Sequence, residues 1–167
     1  RTEEQLAYAV GALARPIEDY SAIGLYIQTP VKGPKEIQAR FDKFKKEYAV
    51  ELDNMSEETF EQLKNSTLVS LKEQPKNLSD EMSPLINDWY RENFTFDSKQ
   101  KLIDEVEKVT LADIKDYYKQ TMLNPNAARL NVQLRGTKFI ESDFADLPNQ
   151  TKITTLDAYY NGIKLQK

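Results

Sequence analysis

Arg1-Thr-Glu-Glu-Gln-Leu-Ala-Tyr-Ala-Val-Gly-Ala-Leu-Ala14 opens the chain, and its alternation decides how the rest is read. From Leu6 onward it has the period of a strand: Leu6, Tyr8, Val10 and Ala12 point one way, Ala7, Ala9, Gly11 and Leu13 the other. The two Ala and one Gly of the second face suit close packing against a helix or another backbone. Arg1 and Tyr8 are the side chains best equipped to touch a ligand. A guanidinium grips carbonyls or carboxylates, and a phenol donates a hydrogen bond. The plainer reading of the same residues makes Tyr8 a core aromatic and Arg1 a frayed end.

Working outward, Arg15–Ser21 reads as a turn broken by Pro16. Ala22–Thr29 then reads as a second strand, with Ile23, Leu25 and Ile27 on one face and Gly24, Tyr26 and Gln28 on the other. Antiparallel pairing of the two is the simplest arrangement. Pro34 suits the first turn of a helix in which Ile37, Phe41, Phe44, Tyr48 and Leu52 form one apolar stripe. Ser56 is placed to cap a second helix, with Phe60, Leu63, Thr67 and Leu71 inward. A third helix is expected over 78–92, with Ser79 as cap and Pro84 as an early irregularity. A short helix runs from Ser98 to Val106, and Thr110-Leu-Ala-Asp113 has the spacing of a helix start. Leu111, Ile114, Tyr117 and Tyr118 are its expected inward residues. Ala128–Leu134 alternates and reads as a third strand. Beyond it periodicity is weak, and Phe139, Phe144, Leu156 and Tyr160 are candidate anchors. The fold class is therefore α+β, an antiparallel sheet packed against several helices. A domain over 1–136 is followed by an extension, 137–167, that packs on it.

Composition removes whole classes of function. With 40% hydrophobic and 30% charged residues, 167 residues suffice for a cored globular domain. The net charge of −4, without a basic run interleaved with aromatics, argues against nucleic acid. No stretch is apolar enough to cross a membrane. There is no cysteine and no histidine, which excludes disulfides, Cys/His zinc sites, and triads or dyads built on histidine. The five glycines are scattered, so no phosphate loop is present, and no Asp-x-Asp-x-Asp-Gly loop occurs. Catalysis by this chain alone is not expected. It begins without methionine beside an ordered element, and is expected to be part of something larger.

Several blocks resemble one family in order and spacing. Arg1-Thr-Glu-Glu-Gln-Leu-Ala-Tyr8-Ala-Val10 resembles the start of a strand in the last repeat of the pitrilysin/insulysin (insulinase) family of zinc metallopeptidases. Leu25-Tyr-Ile-Gln-Thr29, Glu73-Gln-Pro-Lys-Asn-Leu-Ser79, Phe94-Thr-Phe-Asp-Ser98 and Val109-Thr-Leu-Ala-Asp-Ile114 with Tyr117-Tyr118 extend the likeness over residues 1 to 135. It is closest to the bacterial protease III branch.

The resemblance implies most of a fourth α+β domain, without its opening strand and helices. In that family two halves close around a peptide, and the first domain holds zinc in His-x-x-Glu-His, with the glutamate as general base. Here the zinc would be bound by an upstream domain. The partners implied are a peptide substrate and the N-terminal half of the same parent chain, with no nucleic acid and no membrane. Arg1 and Tyr8 are implied as substrate-binding residues near the scissile bond, and no residue as a metal ligand. Ala7 stands where close relatives often have Gly, which slightly enlarges the back of the strand. The branch implies a periplasmic location, with the cytoplasm as the alternative. Two other readings stand beside this one: an inactive insulinase-like partner or core subunit kept for assembly, and a stand-alone α+β binding module. An upstream His-x-x-Glu-His would separate the peptidase reading from the inactive partner.

Overall fold

The computed structural model describes residues 7–17, 20–148 and 150–162. It is α+β, with one two-stranded antiparallel sheet and several helices, and it falls into two compact units.

The first unit takes in residues 1–44 and 128–167. Its sheet is a hairpin of β1 (Ala9–Ile17) and β2 (Tyr20–Gln28), in register from Ala9↔Gln28 to Ile17↔Tyr20. Antiparallel pairing is as expected, but the expected turn over residues 15–21 is mostly strand. In a two-stranded ribbon both strands are edges, so the missing N–H of Pro16, opposite Ser21, interrupts no central ladder. The small face of β1 is half-buried and the Tyr8/Val10/Ala12 face is exposed. Gly11 lies directly across from Tyr26, and a Cβ there would stand 2.9 Å from the Tyr26 ring. The close packing implied by the small residues is thus aromatic against bare backbone.

Helix α1 (Pro34–Asp53) begins in this unit, where the Gly33 carbonyl accepts from the Ile37 N–H at 3.1 Å. Gly33 also lets the 142 turn approach: a Cβ would meet Ser142 Oγ at 2.8 Å. The third strand expected over residues 128–134 does not form a ladder. Its alternation survives, with Leu130, Val132 and Leu134 exposed. Its polar residues are used instead: Asn131 Nδ2 donates to Gln38 Oε1 at 2.8 Å, and the Gln133 amide both donates to Ala145 O and accepts from Ala145 N. A side chain thereby takes the place of a strand neighbour. Farther on, Arg135 stacks on the Phe144 ring at 4.7 Å, and a short 3₁₀ turn (Thr137–Phe139) and α6 (Leu156–Gly162) follow. Leu156 and Tyr160 are exposed rather than buried as anchors.

The second unit is residues 45–127. It holds the end of α1, then α2 (Glu57–Lys72), α3 (Leu78–Tyr90), α4 (Ser98–Lys108), α5 (Leu111–Tyr118) and a wide π turn over Lys119–Leu123. Its core is Leu52, Phe60 and Leu111, with Met55, Val109 and Tyr118 packed against them. The Tyr118 phenol donates to Lys45 O at 3.0 Å and its ring meets Tyr48 at 5.5 Å, so burial raises its pKa.

Ser56 caps α2 as expected, accepting from Thr59 N at 3.1 Å. Thr110 and Asp113 close a full capping box on α5. Three expectations are corrected here. Asn77, not Ser79, caps α3. On α2 the inward positions after Phe60 are Lys64, Leu68 and, as expected, Leu71, while Leu63 and Thr67 are exposed. Lys64 takes the place of Leu63 by laying its stem over the core, Nζ 5.4 Å from the Phe60 ring centre and donating to Val109 O. Ile114 and Tyr117 of α5, and Phe44 of α1, are exposed rather than inward.

The start of α4 is capped from a distance. Asp97 sits at the N-cap position but makes no capping bond. Its carboxylate instead accepts from Thr95 Oγ1 at 2.7 Å and pairs with Lys101 at 2.9 Å. Asp88 of α3, 2% exposed, supplies the missing acceptor, taking the Ser98 N–H on Oδ2 at 3.2 Å. The loop between them holds Glu92 and Phe96 at φ of 58° and 52°, backbone that side chains rarely adopt. Hydrogen bonds from Ser98 and Asn93 hold the Asp88 carboxyl below its usual pKa, against the opposing effect of burial. A depressed folded pKa contributes stability above the unfolded pKa of about 3.9 and loses it as pH falls through the folded value. Asp88→Asn is therefore expected to melt below the wild type at pH 7, with the gap closing below about pH 4. Thermal melts from pH 7 to 3 check this, and a gap constant with pH would remove charge as its cause.

Candidate substrate-contacting site

Tyr8 lies one residue before β1, and the ladder already reaches it: its N–H donates to Gln28 O at 2.8 Å. Backbone position is thus fixed while the side chain stays 73% exposed. By strand alternation and register the phenol shares its face with Val10, Ala12, Leu25 and Ile27, an apolar surface with one polar tip. Among the described residues nothing hydrogen-bonds that phenol, so its O–H is available to donate outward. The core-aromatic reading of Tyr8 does not hold in this structure. Arg1, the other candidate, lies outside the described residues.

The donor set does not fit a zinc ion. The sequence has no histidine or cysteine, and among the described residues no group of three or more carboxylates is gathered. No step of metal chemistry is therefore assigned to this chain's own residues. A cleft of about 570 Å³ with a mixed lining opens in the second unit between the end of α2, α3 and α4, with Glu73, Lys76, Glu81 and Lys99 as well as Leu85 and Phe96 on its walls. Sequence reading missed it because it depends on three helices meeting at Asp88, a residue without distinguishing context in the sequence. Its charges are largely spoken for: Lys76 pairs with Glu73 at 2.6 Å, and Lys99 donates to Glu73 O. Among the described residues, no helix is long and apolar enough to cross a membrane.

Comparison with known proteins bears on the hairpin directly. The family described as PQQ synthase PqqF-like, C-terminal lobe domain 4, matches residues 1–86, just over half of the chain. The chain belongs to this family. Protease 3 of Salmonella typhi is 29% identical over 138 residues, covering 83% of this chain and 14% of the relative. Protease 3 of Escherichia coli K12 is 28% identical with the same coverage. The A-factor-processing enzyme of Saccharomyces cerevisiae is 27% identical over 135 residues, 81% of this chain and 13% of its own. Among solved structures, pitrilysin matches with a TM-score of 0.66 and 28% identity, over 71% of this chain and 13% of that one. The PqqF-like domain therefore has the character of a C-terminal domain of an insulinase/pitrilysin-type peptidase. It spans about a seventh of the length of these relatives.

Proposed function

We propose that this chain is the substrate-contacting C-terminal part of a zinc-dependent endopeptidase that encloses peptides before cutting them. The observation that carries this is Tyr8: an exposed phenol without a hydrogen-bond partner among the described residues, on a backbone pinned by the hairpin, within the stretch 1–86 that matches the family. Such a donor, set in a chamber that excludes water, strengthens its hydrogen bond as negative charge grows on the scissile carbonyl oxygen. Arg1 would hold the peptide beside it through the same carbonyls or a carboxylate. The zinc belongs to an upstream domain of the same polypeptide, whose N-terminal half is the physical partner of this one. Residues 1–136 carry the role and 137–167 are an extension. Kinship with Protease 3 favours a periplasmic setting, the cytoplasm being the alternative.

The test is peptide hydrolysis by the full-length polypeptide before and after chelation. Removing metal is expected to lower the rate by at least about 100-fold, and stoichiometric zinc to restore it. Hydrolysis indifferent to chelators would overturn the zinc reading. A polypeptide that cleaves no peptide at all would leave the inactive-partner reading in its place.

A further inference from the structure

Where Tyr8 stands depends on how firmly the open end of the hairpin is closed. The other end is tied by the chain itself, since only two residues separate Ile17 from its partner Tyr20. At the open end the ladder finishes with Ala9↔Gln28 and the bond from Tyr8 N to Gln28 O. Such an end frays unless side chains paired across the strands hold it.

On the Tyr8 face Val10 meets Ile27, and on the other face Gly11 meets Tyr26. Because Gly11 has no side chain, the Tyr26 ring occupies the space a Cβ would fill, with Cε1 2.9 Å and the phenol oxygen 3.0 Å from that point. A ring laid over a cross-strand glycine pins register where the glycine by itself would weaken the strand. The second glycine of this face differs. A Cβ on Gly24 would stand 3.5 Å from Leu13, an ordinary contact, so an alanine fits there and does not fit at Gly11. The ring is 46% exposed, so burial in a core is not its use. Its contact with Gly11 is internal to the hairpin and needs nothing from outside it.

We propose that Tyr26, laid over Gly11, is a positioning residue: it clasps the open end of the hairpin from one face and thereby fixes where Tyr8 presents its phenol on the other. This rests on the reading that Tyr8 contacts substrate in a longer peptidase.

Hydrogen exchange of the Tyr8 amide in the full-length polypeptide tests the clasp without requiring activity. Tyr26→Ala is expected to speed exchange at least about tenfold, and Tyr26→Phe, which keeps the ring, to stay within about twofold of wild type. Gly11→Ala supplies a change of sign. Alanine for glycine ordinarily stiffens a chain, yet here it is expected to speed exchange by pushing the ring aside, whereas Gly24→Ala is not. In a Tyr26→Ala background Gly11→Ala is expected to slow exchange instead. Unchanged exchange in Tyr26→Ala, or the same sign for Gly11→Ala in both backgrounds, would overturn the clasp. Peptide hydrolysis then tests what the clasp serves. Tyr26→Ala is expected to lower kcat at least about tenfold with KM within about twofold, and to lower kcat no further in a Tyr8→Phe background. A loss that adds to that of Tyr8→Phe would overturn the positioning role. If Tyr8→Phe lowers kcat and Tyr26→Ala does not, the positioning role alone fails. If neither lowers it, the reading of Tyr8 as a substrate contact fails, and the exchange rates still decide the clasp.

Discussion

Tyr8→Phe in the full-length polypeptide is expected to lower kcat/KM for peptide hydrolysis by about 10²–10³-fold at equal zinc content. The substitution keeps the ring and removes one oxygen, so it isolates the hydrogen bond from the surface the ring covers. A donor that strengthens its bond only as charge develops acts on kcat. A donor that merely holds substrate acts on KM. The fall is therefore expected mostly in kcat. Stability should hardly move, because the side chain is 73% exposed and the backbone bond from Tyr8 N to Gln28 O does not involve the phenol. A change under about threefold, with melting unchanged, would assign Tyr8 to surface packing and sink its catalytic part in the proposed function.

How much of this was legible in the sequence varies with what each residue needs. Strand alternation and pairing were legible because period two is local: Tyr8, Val10 and Ala12 fall on one face and Ala9, Gly11 and Leu13 on the other whatever surrounds them. Caps at Ser56 and Thr110 were legible for the same reason, since a hydroxyl three residues from the N–H it accepts from is a local fact. Misreadings cluster where the outcome depends on something distant. Ala128–Leu134 has the pattern of a strand, yet a ladder needs a neighbour, and a pattern does not supply one. Leu63 is placed inward by its spacing, yet Lys64 is the residue drawn over the core, because the Val109 carbonyl, 45 positions away, gives its ammonium a partner. Asp88 carried no signal, because its task is to cap a helix that starts ten residues later after Asp97 has been drawn to Lys101. The functional residues divide in the same way. Tyr8 could be nominated from its chemistry, and its position on the exposed face agrees with a role outside the core. Arg1 was nominated by the same reasoning and lies outside the described residues.

Leu111→Ala is expected to cost about 2–5 kcal/mol of folding stability in the second unit. Leu111 is 3% exposed and joins Leu52 and Phe60 in the one buried apolar cluster described, with Met55, Val109 and Tyr118 against it. It is also the first residue of α5, directly after the capping box of Thr110 and Asp113. A methyl in place of isobutyl leaves a void that neither the cap nor the neighbouring helix can close without moving the other. So small a cluster leaves little reserve, since whole domains are stable by only about 5–15 kcal/mol. Ile114→Ala, on the same helix but 38% exposed, should cost less than about 1 kcal/mol. Urea denaturation of the two variants decides the matter. Equal losses would mean that the Leu52–Phe60–Leu111 cluster is not what holds α5, and that Ile114 is covered by something else in the folded protein. A large gap would establish that α5 is anchored at its first turn. Its outward residues, Ile114 and Tyr117, would then be spare for contacts beyond this unit.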